Sequence, residues 1–111
     1  MGVRGSVDCW FGGGEVVFRP VGDESVGAWD SALRSAYAGG SDVRFVFDLR
    51  GLRVIPRDLS ALRGVLERHR ESTRRHLRGS RVVLPCASMV PVARLTVLAL
   101  RPERPVEFVC G

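Results

Sequence analysis

The stretch Phe45-Val46-Phe47-Asp48-Leu49-Arg50-Gly51-Leu52-Arg53-Val54-Ile55 constrains the fold more than any other part of the chain. Side chains alternate along a strand, so Phe45 and Phe47 share one face, Val46 takes the other, and both faces are apolar at the centre. A strand of that kind belongs in the middle of a sheet. Pro56 then separates it from an arginine-rich helical pattern that begins near Asp58. Strand, turn and helix N-terminus in this order mark the carboxyl end of a strand in an open α/β sheet, where such folds place their binding surfaces.

Strand and helix signals alternate on both sides of this junction. Val7 to Phe11 reads as a strand, Gly12-Gly13-Gly14 as a turn and Glu15 to Arg19 as the hairpin partner, because glycine supplies the positive φ that tight hairpins need. The triple glycine lacks the Lys-Ser/Thr ending of a phosphate-binding loop, and no helix follows it. Ser25 or Asp23 caps a helix with Val26, Trp29, Leu33 and Tyr37 on one stripe, and Gly39-Gly40 stops it. After the central strand, Val43 to Leu49, comes one long helix capped by Asp58, with Leu59, Leu62, Val65, Leu66, Thr73 and Leu77 as its apolar positions and Gly79 as its C-cap. Gly64 inside that helix lowers its propensity by about 1 kcal/mol, which suggests a close approach to the sheet. Arg81 to Leu84 reads as a strand, Ser88 to Leu100 as a helix that tolerates Pro91 in its first turn, and Val106 to Val109 as the last strand. The order ββαβαβαβ predicts an α/β fold, a mixed sheet of four to six strands with helices packed against it.

With 111 residues, 45% of them hydrophobic and 26% charged, a single domain over residues 1–111 is expected. Every one of the 17 basic residues is arginine and neither Asn nor Gln occurs, a coding bias that weakens arginine abundance as a sign of anion binding. Cys9, Cys86 and Cys110 form no CxxC pair, so neither a disulfide framework nor a zinc site is supported, and a reducing compartment fits best. The first residues, Met1-Gly2-Val3-Arg4-Gly5-Ser6, lack the apolar core of a signal peptide. Pro85, Pro91 and Arg94 interrupt the most apolar region, Val82 to Leu100, so a buried strand and helix explain it better than a membrane span.

With that order of elements, the chain resembles a STAS domain, the fold shared by bacterial anti-sigma factor antagonists and the cytoplasmic tails of sulphate transporters. That family carries a strand ending in an Asp-Leu-Ser-Gly-like turn, a short strand, and Asp-Ser-Ser-Gly leading into a helix. Asp48-Leu49-Arg50-Gly51-Leu52-Arg53-Val54-Ile55 matches the first part, whereas Pro56-Arg57-Asp58-Leu59 stands in place of the second. The order of elements is similar from Glu15 to Val109, and the specific residues cover Val43 to Leu66. The resemblance implies a non-catalytic, cytoplasmic, regulatory module without a cofactor. It would bind a protein partner through Asp48, Gly51, Arg53, Arg57, Asp58 and Ser60. The serine that a partner kinase phosphorylates in the family falls on Asp58, whose carboxylate at a helix N-terminus supplies part of a phosphoserine's charge. A plain helix cap explains Asp58 equally simply.

A second reading concerns charge. Seven arginines and two glutamates lie from Arg63 to Arg81, an excess equal to the whole formal net charge of +5. Arg70, Arg74, Arg75 and Arg78 could bind an acidic protein, anionic lipid or nucleic acid. A solvated helix face explains them first, since basic residues in the last turns complement the helix dipole and Glu71 with Arg75 makes an i,i+4 pair. Nucleic acid ranks last, because no aromatic residues interleave with these arginines. His69 and His76 share a helix face, yet no further ligand completes a metal site with Cys86, so no metal is expected. Asp48 and Asp58 have no readable His, Ser or Cys partner for catalysis, and Asp48 is expected to order the turn before Gly51. Cys86 reads as a small buried hydrophobe, and Arg101-Pro102-Glu103-Arg104-Pro105 as a rigid connector.

Overall fold

A computed structural model of the chain describes residues 7–38, 42–52, 59–100 and 104–111. Strand β1 (Cys9–Gly12) pairs antiparallel with β2 (Glu15–Phe18) across Gly13 and Gly14, whose φ values of 58° and 77° are those of a two-residue hairpin turn open to glycine. Helix α1 (Val26–Tyr37) follows, capped by Ser25, whose Oγ accepts the Ala28 N–H at 3.0 Å. Then come β3 (Val43–Asp48), α2 (Leu59–Arg68), α3 (Arg70–His76), β4 (Leu77–Leu84), a 3-10 turn at Ala87–Met89, α4 (Val90–Ala99) and β5 (Val106–Cys110). Among the described residues these strands form one five-stranded sheet in the order β1-β2-β3-β4-β5, parallel from β2 onward. The class is therefore α/β with a mixed sheet, and β3 is its central strand.

Right-handed crossovers repeated in one direction carry their helices to one side of a sheet. The Phe45 and Phe47 face is that side. Phe18 stacks on Phe47 with centroids 5.2 Å apart and meets Phe45 edge-on at 5.0 Å, while Trp29 and Tyr37 of α1 lie against Phe47 and Phe45. Alanines 28, 32 and 36 with Leu33 form the buried stripe of α1, and their small size lets the helix sit close to these rings. Val65 of α2 completes this core from the next crossover. The opposite face carries the cross-strand row Trp10, Val17, Val46, Arg81 and Glu107, closed at its end by an Arg81–Glu107 ion pair at 3.7 Å.

The long helix expected from Asp58 to Leu77 is two helices. The chain leaves helical geometry at His69 (φ −98°, ψ 11°), whose Nε2 lies 2.9 Å from Asp30 Oδ1 on α1. Tyr37 and Thr73 share a hydroxyl hydrogen bond of 2.8 Å one turn further on. A tertiary anchor thus overrides a continuous helical pattern. Leu77 opens β4 instead of ending a helix, and Gly79 is a strand residue, not a C-cap. Arg78 is skipped in the pairing of β3 with β4, and a Cβ on Gly79 would stand 3.3 Å from the Pro105 carbonyl. Gly64 makes no close approach: a Cβ there meets nothing within 4 Å.

Candidate functional site

The carboxyl end of β3 is held by one side chain. Asp48 Oδ1 accepts the Arg50 backbone N–H at 3.1 Å and Arg50 Nε at 2.9 Å, and Oδ2 accepts Arg50 Nη2 at 2.9 Å. Arg19, from the end of β2, stands 3.8 Å from the same carboxylate. The side-chain hydrogen bonds from Arg50, helped by its backbone N–H and by the two positive charges, hold the Asp48 carboxyl below its ordinary range although partial burial opposes them. The turn is closed behind it by Leu52 N–H to the Leu49 carbonyl at 3.1 Å, and Leu49 N–H continues the ladder to Val83. This is the turn-ordering role expected of Asp48. Arg50 is the partner that the sequence did not single out; an Asp-x-Arg spacing at a strand end is the signal that could have found it.

Of the expected partner-binding residues, Asp48 and Gly51 share this turn, with Gly51 exposed and, among the described residues, nothing within 4 Å of where its Cβ would be. Ser60 is exposed in the first turn of α2. Arg53, Arg57 and Asp58 lie outside the described residues, as do the segments around Gly39-Gly40 and Pro102.

Helix α4 departs from expectation. A helix with only Arg94 and Thr96 as polar residues should be largely buried, yet none of its residues is, and Val92, Leu95 and Leu98 are 66%, 70% and 68% exposed. Between α4, α2 and the sheet lies a cavity of about 470 Å³, lined by Leu49, Leu52, Leu62, Leu66, Leu84 and Met89 among others. Val92, Ala93, Thr96, Val97 and Leu100 line it from α4, whereas Leu95 and Leu98 do not. Among the described residues, no helix is long and apolar enough to cross a membrane. Cys86 is exposed, not buried, because it follows the last pair of β4, and its Sγ lies 3.1 Å from Ser88 Oγ.

The arginine-rich region is laced with carboxylates. Arg63 pairs with Glu67, Arg68 with Asp30, Arg75 with Glu71 at 2.7 Å and Arg78 with Asp42 at 3.0 Å. Arg74 receives a hydrogen bond from Arg104 on its carbonyl, and Arg70 lines the cavity. The Asp30 carboxyl is lowered chiefly by its His69 hydrogen bond, and the Cys9 thiol is pushed up by burial. Among the described residues, no three His, Cys, Asp or Glu side chains converge where a metal ion could sit. No family model, curated protein or solved structure matches the chain.

Proposed function

We propose that this protein is a non-catalytic, STAS-like regulatory module of the cytoplasm that binds a protein partner at the carboxyl end of its central strand. The observation that carries the reading is the Asp48 clamp. It fixes the turn that leaves β3 in one shape and leaves Gly51 facing open space. A pre-formed turn loses less conformational entropy when a partner covers it. The element order and the central place of β3 also agree with the resemblance in Asp48 to Ile55. In this reading Arg53, Arg57 and Asp58 also contact the partner, and Ser60 is the hydroxyl nearest in sequence to the family's phosphorylated position. The competing electrostatic reading is weakened by the carboxylates already engaged with Arg75 and Arg78.

Affinity capture from the source cells at low and at high salt tests this. The proposal expects one protein, retained in both buffers at a fixed ratio to the bait. Retention that collapses with salt, with nucleic acid in the eluate, contradicts it.

A further inference from the structure

We propose that β1 is the docking edge for a second copy of this chain, through a contact that leaves the carboxyl end of β3 free and so stands apart from the partner proposed there. β1 ends the sheet, and among the described residues no strand pairs with its outer side. The Arg19 N–H bonds the Asp8 carbonyl at 2.9 Å, so Asp8 and Arg19 form a hydrogen-bonded pair. Such pairs alternate along an antiparallel ladder, so Trp10 and Gly12 also bond to β2, whereas the N–H and C=O groups of Cys9 and Phe11 point outward. Edge strands are normally guarded by charge, proline or a bulge. β1 reads Cys-Trp-Phe-Gly, pairs with β2 without a register shift, and exposes Trp10 and Phe11 at 53% each on opposite faces. The other edge, β5, carries Glu107 and follows Pro105.

Charge and side-chain size select a second copy. The whole excess of +5 lies between Arg63 and Arg81, on α2, α3 and β4, and β4 is three strand positions from β1. At about 4.8 Å per strand, copies joined at β1 keep their β4 strands roughly 34 Å apart, several times the screening length of about 8 Å at physiological salt. Joined at β5, the same strands would stand roughly 14 Å apart. Beside β1 the charges come in opposite pairs, Asp8 next to Arg19 and Glu15 next to Arg44. In an antiparallel pairing centred on Trp10, Cys9 exchanges both backbone bonds with the partner's Phe11, and Phe11 does so with the partner's Cys9, which satisfies every outward group of both residues. The small Cys9 side chain then faces a bulky Phe11, the two Trp10 rings meet on the opposite face, and Gly12 lies across from the partner's Asp8, so no like charges are opposed.

Full-length protein is followed by sedimentation velocity from about 1 to about 500 μM, a range suited to the weak association that a small interface gives. The expected result is a reversible shift from one chain of 12.2 kDa to two. Over the same range, amide exchange read residue by residue by NMR should slow at Cys9 and Phe11 and stay unchanged at Trp10, whose N–H already bonds to β2. Trp10→Lys, which sets two ammonium groups opposite each other, and Phe11→Lys, which places a charge on the other face of the edge, should each weaken association at least about tenfold. Both side chains are half exposed, so circular dichroism and melting should show folded chains. Glu107→Gln, on the opposite edge, should associate like the parent. A single chain throughout the range overturns the second copy. Association untouched by both lysine variants, or unchanged exchange at Cys9 and Phe11 in the associated protein, overturns the β1 edge, and association lost in Glu107→Gln alone moves the contact to β5.

Discussion

At the scale of single side chains, Asp48 shows how one carboxylate can set the shape of a surface. It takes three hydrogen bonds from Arg50 and stands near Arg19, with its side chain 12% exposed. Its folded-state pKa is lowered, so the linked stability is fully present above the ordinary carboxylate value. That stability is lost as pH falls through the lower folded value. Asp48→Asn should therefore cost about 1 kcal/mol near neutral pH, a modest figure because solvent screens the pair. The cost should shrink towards nothing in acid, where the parent is also protonated. Urea unfolding of both chains across that pH range checks the slope; an equal difference at every pH would remove the charge from the account. The Asp was legible because a lone acid before a glycine-containing turn has few other uses. Arg50 was not, because nothing in the arginine-rich composition distinguishes it from its sixteen counterparts.

Elements were legible where the pattern is local. The period-two alternation of Phe45, Val46 and Phe47, the Gly13-Gly14 turn and the Ser25 cap each act within a few residues and lie where the sequence places them, whereas Gly12 is the last residue of β1 and not part of the turn. The long second helix was misjudged because its break at His69 depends on Asp30, thirty-nine positions earlier, and no local pattern carries that. The outward apolar face of α4 was hidden for a similar reason: composition says the helix is apolar, but only packing says what it meets. Gly64 offers a direct test of element-level reasoning. It lies in α2 with free space where a Cβ would project, so Gly64→Ala should add about 0.5 to 1 kcal/mol and raise the thermal midpoint by a few degrees. A loss of stability in a melting experiment would mean that the position is crowded after all.

For the whole molecule, the core is one-sided. It lies between α1, α2 and the Phe45 face of the sheet, and it thins towards α4, where the cavity opens. Phe18 is fully buried among aromatic rings, and Phe18→Ala should cost about 3 to 5 kcal/mol, enough to prevent clean folding of a domain this size. Phe47 stands in the cavity wall and is only partly buried, so Phe47→Ala should cost less. Thermal melts of both variants check the order, and equal losses would place the cavity wall within the packed core. The fold class was readable in the chain because alternating strands and helices leave few other architectures. The proposed site was readable only in part, since Arg53, Arg57 and Asp58 were singled out through resemblance alone, whereas the cavity arises from how the helices and the sheet meet.

The central claim is that a partner binds at the end of β3 and not on the arginine-bearing helix face, and the two surfaces can be altered separately. The deciding measurement is partner capture by the parent, by Arg57→Asp with Asp58→Arg, and by Arg74→Glu with Arg75→Glu, each first shown to be folded by circular dichroism. The account predicts that the loop reversal abolishes capture and that the helix variant retains it within a few-fold, because exposed charges contribute about 0 to 1 kcal/mol each. Full capture by the loop reversal, with capture lost in the Arg74 and Arg75 variant, would contradict it and move the binding surface to the helix.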